Sequence, residues 1–143
     1  MKKFILVFLI SFLIPQKVMA EEIYFYEYDE KGSLCEFSQH IDFIGDFTQE
    51  EKIMIIFDNF FSRWDNKLIG IELEQGNLKI YVDESIKSYG GGSATEFKLV
   101  RGIVSNAFNI EQVDNVTLYI DGIIDCLPEG IMLNQYKREE ENI

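Results

Sequence analysis

The chain has 143 residues, with 13 Lys and Arg against 25 Asp and Glu, one His, and a net charge of −12. That acid excess repels nucleic acid and anionic lipid headgroups, which excludes both as expected partners and leaves cationic partners, loosely held divalent ions or a merely solvated surface. With His40 as the single histidine, a histidine-cluster metal site or a Ser/His/Asp triad lacks its main component.

Residues 1–20 read as a secretory signal peptide: Met1-Lys2-Lys3 is the positive start, 4–14 the apolar run, and Val18-Met19-Ala20 the stretch ahead of a cut. An apolar run of about 11 residues is short of the roughly 20 that span a bilayer. Cleavage is therefore favoured over retention as an anchor, and no stable membrane span is expected after it. The leader holds three of the 13 cations (Lys2, Lys3, Lys17) and no acid, so the mature chain carries 10 against 25, a net of −15. Its 123 residues, 143 less 20, suit one compact domain over 21–136, followed by a charged tail at 137–143.

Two cysteines remain, Cys35 and Cys126. In an exported chain a bridge between them is one reading, closing a loop of about 90 residues and adding on the order of 4 kcal/mol if unstrained. Small buried hydrophobes are the other.

The mature chain opens on an aromatic, β-prone run, Ile23-Tyr24-Phe25-Tyr26-Glu27-Tyr28, then turn residues at 29–32 and a returning strand at 33–37. His40 falls in the polar stretch that follows and reads as a loop residue. Thr48-Gln49-Glu50-Glu51 has capping-box spacing. It predicts a helix of about 15 residues with Ile53, Ile56, Phe57, Phe60 and Trp64 on one stripe.

Residues 68–73 and 78–83 read as a hairpin around Glu74-Gln75-Gly76-Asn77, with Leu78, Ile80 and Val82 facing inward. Gly90-Gly91-Gly92 reads as a linker and Ser93-Ala94-Thr95-Glu96 as a second capping box. A phosphate cradle there lacks its lysine. The second helix should bury Phe97, Val100, Ile103, Val104 and Ala107. Residues 116–120 alternate as a strand, Asp121-Gly122 is a strong hairpin signal, and 123–127 should fold back. The order ββ, α, ββ, α, ββ predicts an α+β fold: a mostly antiparallel sheet of about five to six strands with two helices packed on one face.

No residue set amounts to a catalytic, cofactor or metal site. Paired carboxylates among Asp83, Glu84, Asp114 and Asp121 would be needed for the alternative reading, a small secreted hydrolase of wall glycan or peptide. If the inward residues face the helices, alternation puts Tyr24, Tyr26, Tyr28, Tyr81 and Tyr119 on the opposite face. Tyrosine is enriched at interfaces, and it also simply suits a half-exposed strand. Tyr24, Tyr26, Tyr81 and Tyr119 are the candidate partner-binding face.

Residues 78–122 resemble the GerMN domain, the sporulation and spore germination domain of bacterial exported proteins. The likeness is carried by Leu78-Lys79-Ile80-Tyr81-Val82-Asp83, the Gly/Ser stretch 90–93 with Glu96, Ile103-Val104, Val113, Val116 and Ile120-Asp121-Gly122. The opening strand and the helix at Thr48 extend it over nearly the whole mature chain, as a single copy. Val104-Ser105-Asn106-Ala107 departs from the family pattern. The resemblance implies a non-catalytic interaction or assembly module of the cell envelope, without cofactors, whose partner is an envelope protein or wall polymer. It leaves self-association open.

Overall fold

The computed structural model describes residues 18–65 and 68–138, of Val18, Met19 and Ala20 the backbone alone. The expected leader at 1–20 otherwise lies outside the described residues. The chain runs β1 (Val18–Tyr28), β2 (Leu34–Ile44), α1 (Gln49–Ser62), β3 (Leu68–Glu74), β4 (Asn77–Val82), a 3₁₀ turn (Glu84–Ser88), α2 (Gly92–Phe108), β5 (Asn115–Ile120), β6 (Ile123–Ile124) and β7 (Tyr136–Lys137).

The predicted α+β architecture is present. One sheet has the order β3-β4-β5-β6, with β7 also on β5; β1 and β2 form a second, two-stranded sheet. β4 and β5 pair in parallel, Ile80 opposite Leu118, which demands a crossover, and the connection containing α2 supplies it. The alternating positions Leu78, Ile80 and Val82 of β4 and Val116, Leu118 and Ile120 of β5 are all buried. Their face closes one core with Ile53, Ile56, Phe57, Phe60 and Phe61 of α1 and with Leu99, Ile103, Val104 and Ala107 of α2.

Helix α1 starts as its sequence dictates. The Thr48 hydroxyl accepts the Glu51 N–H at 3.2 Å, and the Glu51 carboxylate accepts the Thr48 N–H at 2.8 Å, so two otherwise orphaned donors are satisfied. Trp64 lies past the helix end and is half-buried, with Phe61 taking the expected inward place. Helix α2 begins differently. Its cap is Gly91 at φ +86°, without a side-chain cap bond, and a Cβ there would stand 2.1 Å from Thr95 Oγ1. The second capping box does not form because Glu96 is wholly buried and engaged elsewhere. The buried stripe of α2 is also rotated from expectation: Leu99 is inside and Phe97 is 47% exposed.

The β1–β2 hairpin is longer than its pattern suggests. β2 continues to Ile44, and His40 sits opposite Glu22 on a strand rather than in a loop. Most of β2 is exposed, so no apolar alternation marks it, and backbone pairing with β1 holds it. Ile23, Phe25 and Phe43 anchor the hairpin in the core. The Phe25 ring stacks on Phe60 at 5.7 Å and lies under the Arg63 guanidinium at 4.0 Å. The free edge of β1 meets α2, where the Asn106 amide accepts the Tyr24 N–H at 2.9 Å and donates to the Tyr24 carbonyl at 2.8 Å. Ser105 Oγ lies 2.7 Å from the Tyr26 hydroxyl. Ser105 and Asn106 thus fasten this hairpin to α2.

At the other end, β6 comprises only Ile123–Ile124 rather than 123–127. The expected tail is partly structural: Tyr136 pairs with Val116 and Lys137 with Asn115. Arg138 donates to the carbonyls of Phe108 (2.6 Å), Ile110 (3.0 Å) and Val113 (3.1 Å) beyond the end of α2.

Candidate functional site

Strand pairing places Gly70 opposite Tyr81, Tyr81 opposite Tyr119, and Tyr119 opposite Ile124. Residues paired across strands share a face. One transverse row therefore crosses four strands on the side of the sheet away from the core. The Tyr81 and Tyr119 rings stack with centroids 4.7 Å apart and planes 21° apart. Both are half-exposed, Ile124 is 36% exposed, and Gly70 adds no side chain to the row.

The next row is charged. Lys79 Nζ lies 2.8 Å from Glu74 and 3.5 Å from Glu72, and the Tyr81 hydroxyl donates to Glu72 at 3.0 Å. The bond to Glu74 raises the Lys79 pKa and, reciprocally, lowers that of Glu74. Burial, then the bond to Glu72, raises that of Tyr81. Beside this row Thr117 is buried, because the Gln135 N–H donates to its hydroxyl at 3.0 Å and the Leu118 N–H to the Leu133 carbonyl at 2.9 Å. The result is a small aromatic platform with a polar border.

Tyr24, Tyr26 and Tyr28 do not share this face. They lie on β1, which belongs to the other sheet, so the single tyrosine face expected from alternation is divided. Tyr26 is 8% exposed, bonded to Glu36 and Ser105, with the Arg101 guanidinium 5.9 Å from its ring. Tyr24 is half-buried and donates to Glu22 at 3.2 Å. Neither reading of the cysteines holds: Cys35 and Cys126 are free thiols, unbridged, and both are exposed rather than buried.

Of the carboxylates considered for hydrolysis, those of Asp83 and Asp121 accept from neighbouring backbone N–H groups. Asp83 caps the 3₁₀ turn through the Ser85 N–H at 2.8 Å, and Asp121 accepts the Glu84 N–H at 3.2 Å. Asp114 precedes β5, at the opposite end from Asp121, and its N–H donates to the Gly76 carbonyl at 2.8 Å. Among the described residues no three His, Cys, Asp or Glu are arranged to hold a metal ion, and no helix is long and apolar enough to cross a membrane. His40 is exposed, 3.7 Å from Asp42.

A second feature escaped the sequence reading. Between α1 and β3 runs an apolar groove of about 500 Å³, lined by Phe47, Met54, Ile55, Gly70 and Ile71, with Glu50 and Glu51 at its rim. Its only sequence signal is that Met54 and Ile55 are apolar yet off the main stripe of α1.

In sequence, no protein-family profile and no curated protein match the chain. In structure, it is similar to the first GerMN domain of the sporulation protein GerM from Bacillus subtilis, at TM-score 0.60 and 15% identity over 83% of this chain and 98% of that one. It is also similar to the tandem GerMN domains of the same protein, at TM-score 0.61 and 16% identity over 85% of this chain. The chain spans 46% of that tandem structure. These likenesses show that it has the GerMN fold.

Proposed function

We propose that this chain is an exported, non-catalytic interaction module of the bacterial cell envelope that serves in sporulation or spore germination. The GerMN fold, shared with a sporulation protein, supports the setting, and the leader-like residues 1–20 support export. The single observation that carries the interaction role is the stacked, half-exposed Tyr81–Tyr119 pair on the open face of the sheet. Two rings held in register present a preorganised contact area, and a tyrosine immobilised in this way loses little further entropy on binding. The partner docked there is an envelope protein or wall polymer. Tyr24 and Tyr26 serve instead as the seam between the hairpin and α2.

The test is binding of the chain to envelope fractions and to purified wall polymer, compared with a Tyr81→Ser/Tyr119→Ser variant. Both side chains are half-exposed and neither belongs to the core, so the variant should fold. Loss of binding in the variant supports the reading, and undiminished binding removes the face from it.

A further inference from the structure

The groove between α1 and β3 lies on the flank of the molecule, and three observations there converge. First, β3 is an edge strand: among the described residues its one strand neighbour is β4, so a row of its backbone N–H and C=O groups is open to another strand. Second, this free edge borders the apolar groove formed by Phe47, Met54, Ile55 and Ile71. Phe47 is 38% exposed, and Ile69, at the irregularity in the β3–β4 register, is 59% exposed. Third, the surroundings are acidic. Glu50 and Glu51 stand at the rim, and Glu72 and Glu74 of β3 share the one ammonium of Lys79.

We propose that this groove takes an extended peptide segment of a cationic partner protein, added to the edge of β3 as a further strand. Strand addition supplies main-chain hydrogen bonds, and alternate side chains supply specificity. Side chains on the groove side are apolar and meet Ile71, Met54 and Ile55. Those on the other side are Lys or Arg and face Glu72 and Glu74 across the new strand pair. The same charges select against a second copy of this chain, whose net charge is −12 and whose β3 would bring a like pair of carboxylates to the contact. Acidic residues on an edge strand are a known guard against self-pairing. Here they also state the charge of the permitted partner.

The groove lies on the α1 side of β3 and the Tyr81–Tyr119 pair on the outer face of the sheet, with Glu72, which accepts from the Tyr81 hydroxyl, bordering both. Tyr119 is the platform residue that separates the two readings. The experiment is selection of binders to the full chain from a random twelve-residue peptide library, followed by hydrogen exchange on the complexes. Enriched peptides are expected to alternate apolar residues with Lys or Arg and to slow exchange of the β3 amides. Affinity should fall about tenfold or more with N-methylation of alternate peptide nitrogens, and likewise with the exposed-site variant Glu50→Lys/Glu72→Lys. Tyr119→Ser should leave it unchanged. Three outcomes would each overturn the proposal: no enrichment, undiminished binding of N-methylated peptides, or sedimentation showing a dimer that Phe47→Asp dissolves.

Discussion

The carboxylate of Glu96 on α2 accepts the backbone N–H of Ile131, 35 residues further along the chain, at 2.9 Å. Its other oxygen accepts the Glu129 N–H at 2.6 Å and the Tyr89 hydroxyl. A wholly buried carboxylate thus ties the segment after β6 to the start of α2. Removing it takes the acceptor from three part-buried donors, at about 1 kcal/mol each. Glu96→Ala should therefore cost about 2–4 kcal/mol in urea unfolding. Hydrogen exchange at Glu129 and Ile131 should rise first, and equal exchange in variant and parent would show that the tie is idle.

Helices α1 and α2 cross where Gly102 meets Phe60. A Cβ on Gly102 would lie 2.4 Å from the Phe60 ring, and that ring is 1% exposed, so it has no room to retreat. Gly102→Ala should destabilise by about 1–3 kcal/mol through overpacking. Adding Phe60→Leu should recover part of the loss in a double-mutant cycle; strict additivity would locate the strain elsewhere.

Arg138 holds the exit of α2. Its guanidinium donates to the carbonyls of Phe108, Ile110 and Val113 and lies 5.2 Å from the Phe108 ring. A cation at a helix C-terminus is favourable, and each carbonyl otherwise loses a charged donor. Arg138→Met should lower stability by about 1–3 kcal/mol, read as a shift in the urea midpoint. Arg138→Lys should not restore it, since an ammonium lacks the planar fork.

Two groups set opposite pH limits. Burial, then the bond to Glu96, pushes the Tyr89 phenol well above its ordinary value. The folded chain keeps a proton that the unfolded chain releases near pH ~10, so this contribution is complete below that pH and is lost as pH rises further. The Lys87 ammonium, at 2.7 Å, and then the Cys126 N–H hold the Asp125 carboxyl below its ordinary value. That contribution is present above about pH 4 and is lost as pH falls through the folded value. In thermal unfolding across pH, Tyr89→Phe should flatten the alkaline limb and Asp125→Asn the acid limb. Unchanged limbs would assign the pH dependence to other groups.

Much of this fold was legible because local chemistry and tertiary demand agree. The Thr48–Glu51 box, the inward positions of β4 and β5, and the turns at Gly76 and Gly122 follow from residue type and spacing. The misses share a cause, which is that distant contacts decided them. Glu96 has the spacing of a capping residue but is taken by Glu129 and Ile131. β2 lacks apolar alternation because β1, not the core, holds it. Period-two alternation places Tyr24 and Tyr81 alike on the outer side of their strands, but it cannot tell that those strands belong to different sheets. Asn106 reads as a polar departure in a helix, and only the structure pairs it with the Tyr24 backbone.

The most direct test of the proposed role is co-sedimentation of the chain with envelope fractions, set beside the Tyr81→Ser/Tyr119→Ser variant and a Tyr24→Ser control on the other sheet. The parent and the control should sediment alike and the double variant should remain in solution. Equal sedimentation of all three would contradict a docking role for the Tyr81–Tyr119 pair.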